Sequence, residues 1–388
     1  MNIIREYNAK IFIKNRILLP SISLNIISKN LYSEYLTLKT KIDSVRRHPS
    51  LIKDILQYKN VKEIRDKIRR LDERQAERQA EKEIFNFISH LKQTSPYYIN
   101  PNDEPKLNRL CYVEDWKNIE IKNIISELQT VSLSDYIHRR DWEMNTNIIN
   151  MRKPGFIHRK DWEWALGIVA MRRFGKLTKN SKAIGVGAGR EEVLFYLANN
   201  INHVYAIDLY DAKDWKNFAP SDFPENPKKY APFPYKEDAL TVLRMDGTKL
   251  EFPSENFDIA FSFSSIEHFG GKNHSGALKS LREIERVLKH GGIAVIATEY
   301  IINNKEHPEF FNGQTIYSDL INKLEKLQLV EPLDLRITTN TLDTVIDYSS
   351  ALYWDTHVDD KFKKTHPLVL LRVRDILLTS IMLVFQKQ

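Results

Sequence analysis

From about residue 181 to the C-terminus, short β-prone apolar runs alternate with segments of helical period, and this alternation limits the fold more than any other feature of the sequence. "KAIGVG" reads as a strand and "REEVLFYLANN" as a helix; "HVYAIDLY", "TVLRMDG" and "FDIAFSFSS" read as strands. "SGALKSLREIERVLKHGG" is helical, with Ala277, Leu281, Ile284, Val287 and Leu288 on one face, and "IAVIATEY" is a strand. "SDLINKLEKLQL" is read as a helix, "VEPLDLRI" as a strand and "ILLTSIMLVFQK" as the last strand. Strands separated by helices require crossover connections, hence a mostly parallel α/β sheet. Such sheets take ligands beyond the carboxyl ends of their strands, where the strand order reverses.

The carboxyl end of the first strand carries "AIGVGAGREE", residues 183–192. Glycines at this density let a backbone approach a ligand closely. The dinucleotide fingerprint G-x-G-x-x-G fails here: the sixth position is Arg190 counted from Gly185 and Glu192 counted from Gly187. No lysine followed by Ser or Thr makes it a phosphate-binding P-loop. A pyrophosphate would need the positive end of the following helix, and Glu191 and Glu192 occupy that first turn. The ligand is therefore expected to lack phosphate and to carry positive charge. S-adenosylmethionine has this character: a sulfonium, an adenosine and an amino acid end.

Residues from about 160 onward resemble a class I S-adenosylmethionine-dependent methyltransferase, most closely the large bacterial "type 11" group. The resemblance is carried by "GVGAGRE", "AIDLY", "RMDGTKLEFPSENFDIAFS" and "SFSSIEHF" followed by "LREIERVLKHGGIAVIATEY". It implies a Rossmann-like seven-stranded methyltransferase sheet with flanking helices. It also implies cofactor contacts: Gly185, Gly187 and Gly189 in the loop, Asp208 on both ribose hydroxyls, Asp246 on the adenine amino group with the Gly247 backbone beside it, and Ser264 where the fourth strand ends. A carboxylate suits the ribose because it accepts two hydrogen bonds. The chain departs from the pattern twice. Gly185 stands where the family has an acid that orients the methionine amino end, and Glu191 stands for the third glycine. Glu191 and Glu192 are the nearest acids for that cationic end.

Methyl transfer from a sulfonium is an in-line displacement, so the protein aligns the reactants and excludes water. A hydroxyl acceptor also needs a base. "SSIEHF" offers Glu267 and His268, and "ATEY" offers Glu299 and Tyr300. His268 is the expected base, being neutral near pH 7, and Glu299 the expected acceptor-positioning carboxylate or alternative base. Glu267, Tyr300, Trp162 and Trp215 are assigned to the acceptor side. No metal ligands are assigned. The insertion 211–240 is proline-rich and aromatic, with Trp215, Phe218, Phe223, Tyr230, Phe233 and Tyr235. It reads as a lid whose aromatic faces suit sugar rings, and relatives with a similar insert resemble enzymes of glycan building. The remaining acceptor classes are less favoured. Strand four ends in "SFSS" rather than the N-P-P-Y type of motif used on base amines, which speaks against nucleic acid, and the glycine loop with Asp208 and Asp246 speaks against a noncatalytic assembly module.

The N-terminal part is different in kind. Residues 1–130 hold 24 Lys and Arg against 17 Asp and Glu, which accounts for the whole net charge of +7. A basic arm can favour nucleic acid or an anionic membrane surface, but the acids are interleaved, so a solvated helical face is the simpler reading. Val61, Ile64, Ile68 and Leu71 follow helical spacing, resumed by Ile84, Ile88 and Leu91 around the charge-paired "DERQAERQAEKE". This predicts a mostly helical arm over 1–130, with a short coiled coil or hairpin through which two copies could associate. "TSPYYINPNDEP" (94–105) reads as a linker. Residues 131–180 are read as a linker and leading helix, and 181–388 as the catalytic domain. A heptapeptide recurs, "IHRRDWE" at 137–143 and "IHRKDWE" at 157–163. Its second copy could place His158, Trp162 and Trp164 at the mouth of a site, or supply tryptophans for packing. One cysteine, Cys111, and no apolar run long enough to span a bilayer lead to an expected cytoplasmic location.

Overall fold

The computed structural model describes residues 60–130, 155–211, 218–356 and 360–388. The chain divides into two compact units, Met1–Gln79 and Ala80–Gln388. In the first, the described residues are helical. They begin α1 (Asn60–Thr94), a sequence rich in strong helix formers and i,i+4 charge pairs. The side chains of residues 72–79 are all exposed. The first heptapeptide copy, and any packing through Val61–Leu71, lie outside the described side chains.

The second unit is built on one sheet. Its strands are β1 (Arg109–Leu110), β2 (Lys182–Val186), β3 (His203–Asp208), β4 (Leu240–Arg244), β5 (Phe257–Phe263), β6 (Leu288–Ile301), β7 (Leu327–Leu329), β8 (Ile346–Asp347), β9 (Leu371–Val373) and β10 (Ile376–Lys387). The main order is β4-β3-β2-β5-β6-β10, parallel up to β6, with β10 antiparallel to β6. The far edge of β10 is shared along its length by β9, β1 and β7, and β8 extends the sheet from β9. Seven of these strands, in the order β4-β3-β2-β5-β6-β10-β7, make the expected sheet. The three short ones, β1, β8 and β9, are additions, and the sheet has ten strands among the described residues.

Helices cover both faces. On one side lie α2 (Ile119–Thr130), α3 (Arg159–Arg173) and α4 (Glu192–Asn200). Ile121, Ile124, Trp162, Leu166, Val169 and Phe195 of these helices pack with Phe261, Phe263 and Val295. Helix α3 is buried almost all round, as expected of a helix held between a sheet and a second helical layer. On the other face, α5 (Ser275–Val287) presents Ala277, Leu281, Ile284 and Val287 to the even-numbered residues of β6.

Two expected elements differ. The segment 318–329 is helical only in its first half: a π-helical turn at Ile316–Leu320 and a 3-10 turn at Ile321–Lys323 lead into β7. The reason is Glu285 of α5, whose Oε1 collects the backbone N–H groups of Glu325, Lys326 and Leu327 and turns the chain into the sheet. The strand expected at 330–337 is instead irregular, closed on itself by Arg336 and Asp334.

The expected division near residue 130 is also displaced. Residues 94–105 are no linker, since Tyr97 bonds Thr339 and stacks edge-on against Tyr112. Arg109 and Asp115 form a buried bidentate ion pair, with both N···O distances 2.7 Å. Residues 105–130 thus belong to the sheet unit.

Candidate active site

The strand order reverses at β2, whose neighbours are β3 and β5. The crevice for a ligand therefore opens between the carboxyl ends of β2 and β5. After β2 the chain turns through Gly187 (φ +63°) and Gly189 (φ +46°), conformations that glycine adopts without strain. Ser265 Oγ, just past β5, donates to Gly187 O at 2.6 Å and fixes the two strand ends together. Asp208 ends β3 as expected. Its Oδ2 accepts from Gly189 N at 3.0 Å and its Oδ1 from Leu209 N at 2.7 Å. Burial raises its pKa, against these backbone hydrogen bonds. Asp246 is exposed after β4 and binds Thr248 N and Oγ1 through Oδ1 alone, beside the buried Gly247.

Gly185 has no room for a side chain. An ideal Cβ there would stand 2.7 Å from Phe261 Cζ and 2.9 Å from Ala188 Cβ. The charge near the loop comes from another direction. Lys160, in the first turn of α3, donates to Glu163 Oε2 at 2.9 Å, to Glu191 Oε1 at 3.0 Å and to Phe263 O at 3.0 Å. Glu163 also accepts from Ser264 Oγ at 2.9 Å and from Ser380 Oγ at 2.6 Å. Burial opposes ionisation of Glu163, but Lys160 and Ser380 outweigh it and its pKa is lowered. Burial pushes Glu191 up to about 7, with Lys160 pulling the other way. Ser264 sits in the left-handed region (φ +52°), its hydroxyl committed to Glu163. Glu192 is buried at the start of α4.

On the acceptor side, Arg159 forms an ion pair with Glu299 at the carboxyl end of β6. Glu267 is buried, with Thr298 Oγ1 donating to its Oε2 at 2.9 Å. Burial and then the negative charge of Glu299 push its carboxyl up to about 8. His268 is partly exposed and its Nδ1 lies 3.0 Å from Glu309 Oε2. A carboxylate on Nδ1 holds the proton there and leaves the basic lone pair on Nε2.

Three expected acceptor contacts are not at an open mouth. Trp162 is fully buried, with the Arg109 guanidinium 5.6 Å from its ring centroid. Tyr300 is buried in the core on the α5 face. His158 is buried and caps α3, its Nδ1 accepting from Lys160 N. Trp215 lies outside the described residues. The insertion also differs from an aromatic lid. Phe223 is fully buried, 5.7 Å from the Tyr210 ring and 5.5 Å from Tyr230, and Tyr235 packs 4.9 Å from Phe195. Its aromatic rings are largely core, because α4 and Tyr210 leave an apolar surface for them to cover. Phe218 is the exception, exposed beside the glycine loop, where its carbonyl accepts from Arg190 N.

The residues that sequence reasoning passed over are Arg159, Lys160, Glu163 and Glu309. The first three stand in the second copy of the heptapeptide, so the repeat itself was their signal.

The site suits S-adenosylmethionine. Asp208 and Asp246 are carboxylate acceptors at the ends of adjacent strands, and the acids around the loop would repel a phosphate. Residues 184–296 match the family described as "Methyltransferase domain". No curated protein matches the chain. Similar solved structures include the YcgJ protein of Bacillus subtilis, 16% identical over 57% of this chain and 98% of that one, TM-score 0.36. Geranyl diphosphate C-methyltransferase of Streptomyces coelicolor A3(2) is 13% identical over 58% and 76%, TM-score 0.39. Phosphoethanolamine N-methyltransferase 2 of Haemonchus contortus, solved with S-adenosyl-L-methionine, is 16% identical over 65% and 59%, TM-score 0.38. Among the described residues, no helix is long and apolar enough to cross a membrane.

Proposed function

We propose that this chain, whose residues 184–296 match the family described as "Methyltransferase domain", is an S-adenosylmethionine-dependent enzyme that methylates a hydroxyl oxygen of a small molecule or of a sugar in a glycan. The observation that carries this reading is the His268–Glu309 pair, partly exposed at the carboxyl end of β5. An amine or thiolate acceptor would be nucleophilic without such a base; a hydroxyl must lose its proton as it attacks. S-adenosylmethionine supplies the electrophilic methyl group. Asp208, Asp246 and the glycine loop bind it, Glu309 orients His268, and His268 Nε2 receives the acceptor proton. Glu299, held by Arg159, and the Glu267 carboxyl position the acceptor. Paired carboxylate and guanidinium groups suit the multiple hydroxyls of a sugar.

The test has two stages. Mass spectrometry of glycans and metabolites from a deletion strain should reveal a product short of one methyl, about 14 Da. With that acceptor in hand, His268→Ala should slow single-turnover methyl transfer by roughly 10²–10⁴-fold, the usual worth of a positioned base, with cofactor affinity nearly unchanged. A normal rate in the variant removes His268 from the chemistry, and a methylated nitrogen or sulfur in the product overturns the hydroxyl reading.

A further inference from the structure

The carboxyl ends of β5 and β6 meet in a polar cluster whose charges do not balance. Glu299 is paired with Arg159, and Glu163 with Lys160. Glu267, on the turn after β5, is 3% exposed, yet no lysine or arginine among the described residues pairs with it. The donors near its carboxyl are the Thr298 hydroxyl, 2.9 Å from Oε2, and its own backbone N–H. Oε1 is buried and completes no hydrogen bond. A buried carboxyl left so is costly, and a ligand can satisfy it in two ways. The neutral acid would donate to a carbonyl; the carboxylate would accept from an ammonium. The neighbours decide between them: Glu299 and Glu163 both act on Glu267, and both are negative. A cation is therefore favoured at Oε1.

We infer that the acceptor is an amino sugar with its nitrogen free, and that Glu267 Oε1 receives its ammonium while a hydroxyl of the same sugar is methylated. This rests on the proposed hydroxyl transfer and narrows its substrate class. Glu267 and His268 share the 3-10 turn Ile266–His268, so one short element holds both the ammonium and the base. Held as an ammonium, the nitrogen has no lone pair, and the methyl group is directed to oxygen. Glu299 with Arg159 is left for the other hydroxyls. An N-acetylated sugar has lost the charge and would set a bulkier neutral amide against Oε1. The carboxyl of Glu267, raised to about 8 by burial and then by Glu299, fits this role. An ammonium would bring it down, and the carboxyl proton would leave to solvent as the sugar binds.

The experiment is calorimetry at pH 6.5 on the full chain loaded with S-adenosylhomocysteine. The probes are the methyl glycosides of glucosamine and galactosamine, each set against its N-acetylated counterpart. In at least one pair the free amine should bind at least about tenfold more tightly, the usual worth of a charged hydrogen bond. Repeating the titration in a buffer of different ionisation enthalpy should show release of up to about one proton. Glu267→Gln, which keeps size and shape, should bind S-adenosylhomocysteine as the wild type does, bring the amine-to-acetamide ratio close to one and abolish the proton release. A ratio near one in the wild type, a ratio unchanged in Glu267→Gln, or no binding by any of the four sugars overturns the inference. Methylation of a hydroxyl on a neutral acceptor would then leave the proposed function standing. A methyl group found on the amine nitrogen overturns the hydroxyl reading and this inference with it.

Discussion

The Phe261 ring occupies the space that a side chain on Gly185 would need: an ideal Cβ would lie 2.7 Å from Cζ and 2.8 Å from Cε2. Both residues sit in neighbouring parallel strands, paired directly across β2 and β5. Phe261 is fully buried, so the ring has little room to retreat. Installing an acid at this position is therefore expected to damage the fold without improving the site. Gly185→Ala and Gly185→Asp should each lose about 1–3 kcal/mol from overpacking, with the larger loss for Asp, whose charge would also be desolvated. Chemical denaturation measures this directly. Adding Phe261→Ala to Gly185→Asp should return part of the stability; if it does not, the ring is not the obstacle.

The same pair marks the limit of what the sequence discloses. Local pattern was enough for β2, β3, β5, β6, α4 and α5, because each is a short run whose apolar period is decided by its own residues. It was enough to put Asp208 at the end of β3 and Asp246 just past β4. It failed at 324–329, where helical spacing was overridden by Glu285 some forty residues earlier taking three backbone N–H groups. It failed for Lys160, which meets Glu191 across 31 positions of chain and through no periodicity. The insertion's aromatic residues were visible as a cluster, but whether they faced a ligand or Phe195 and Tyr210 depended on the surface they had to cover.

Asp208 provides the direct check on the adenosine end. Its carboxylate braces Gly189 and Leu209, and ribose hydroxyls would add charged hydrogen bonds worth roughly 1.5–3 kcal/mol each before water compensates. Asp208→Ala should lower affinity for S-adenosylhomocysteine at least about tenfold while the far-ultraviolet circular dichroism stays that of the wild type. Unchanged affinity would take Asp208 out of the site.

Glu267 should give stability a pH dependence of definite sign. Its carboxyl titrates near 8 in the folded chain, raised by burial and by Glu299, against about 4.3 for an unperturbed glutamate. Between those values the folded state holds a proton that the unfolded state has lost. Stability therefore falls as pH rises through this window. Glu267→Gln keeps the neutral form at every pH. Its denaturation midpoint should stand above that of the wild type at pH 8.5, with the gap narrowing steadily toward pH 5. A gap that stays constant across that range would mean that Glu267 does not titrate there.

The last expectation concerns where the folded enzyme begins. A chain starting at Ala80 removes the unit Met1–Gln79 and keeps Ala80, Ile84 and Ile88, buried side chains of α1. It should fold and bind S-adenosylhomocysteine. A chain starting at Asp135 should not, although the sequence pattern placed the domain boundary near there. It loses β1, the buried Arg109–Asp115 pair and α2. Leu110, Ile121, Ile124, Ile125 and Leu128 are all nearly or fully buried. At about 1.5–3 kcal/mol for each buried apolar side chain, losing five is comparable with the whole 5–15 kcal/mol that holds a typical domain folded. The loss falls on α3 in particular, whose outer face packs on α2 and whose first turn carries Lys160 and Glu163. Thermal melts of the two truncated chains, with and without S-adenosylhomocysteine, separate the cases. A cooperative, ligand-stabilised melt for the chain starting at Asp135 would show that α2 and β1 are dispensable and that α3 is held by the sheet alone.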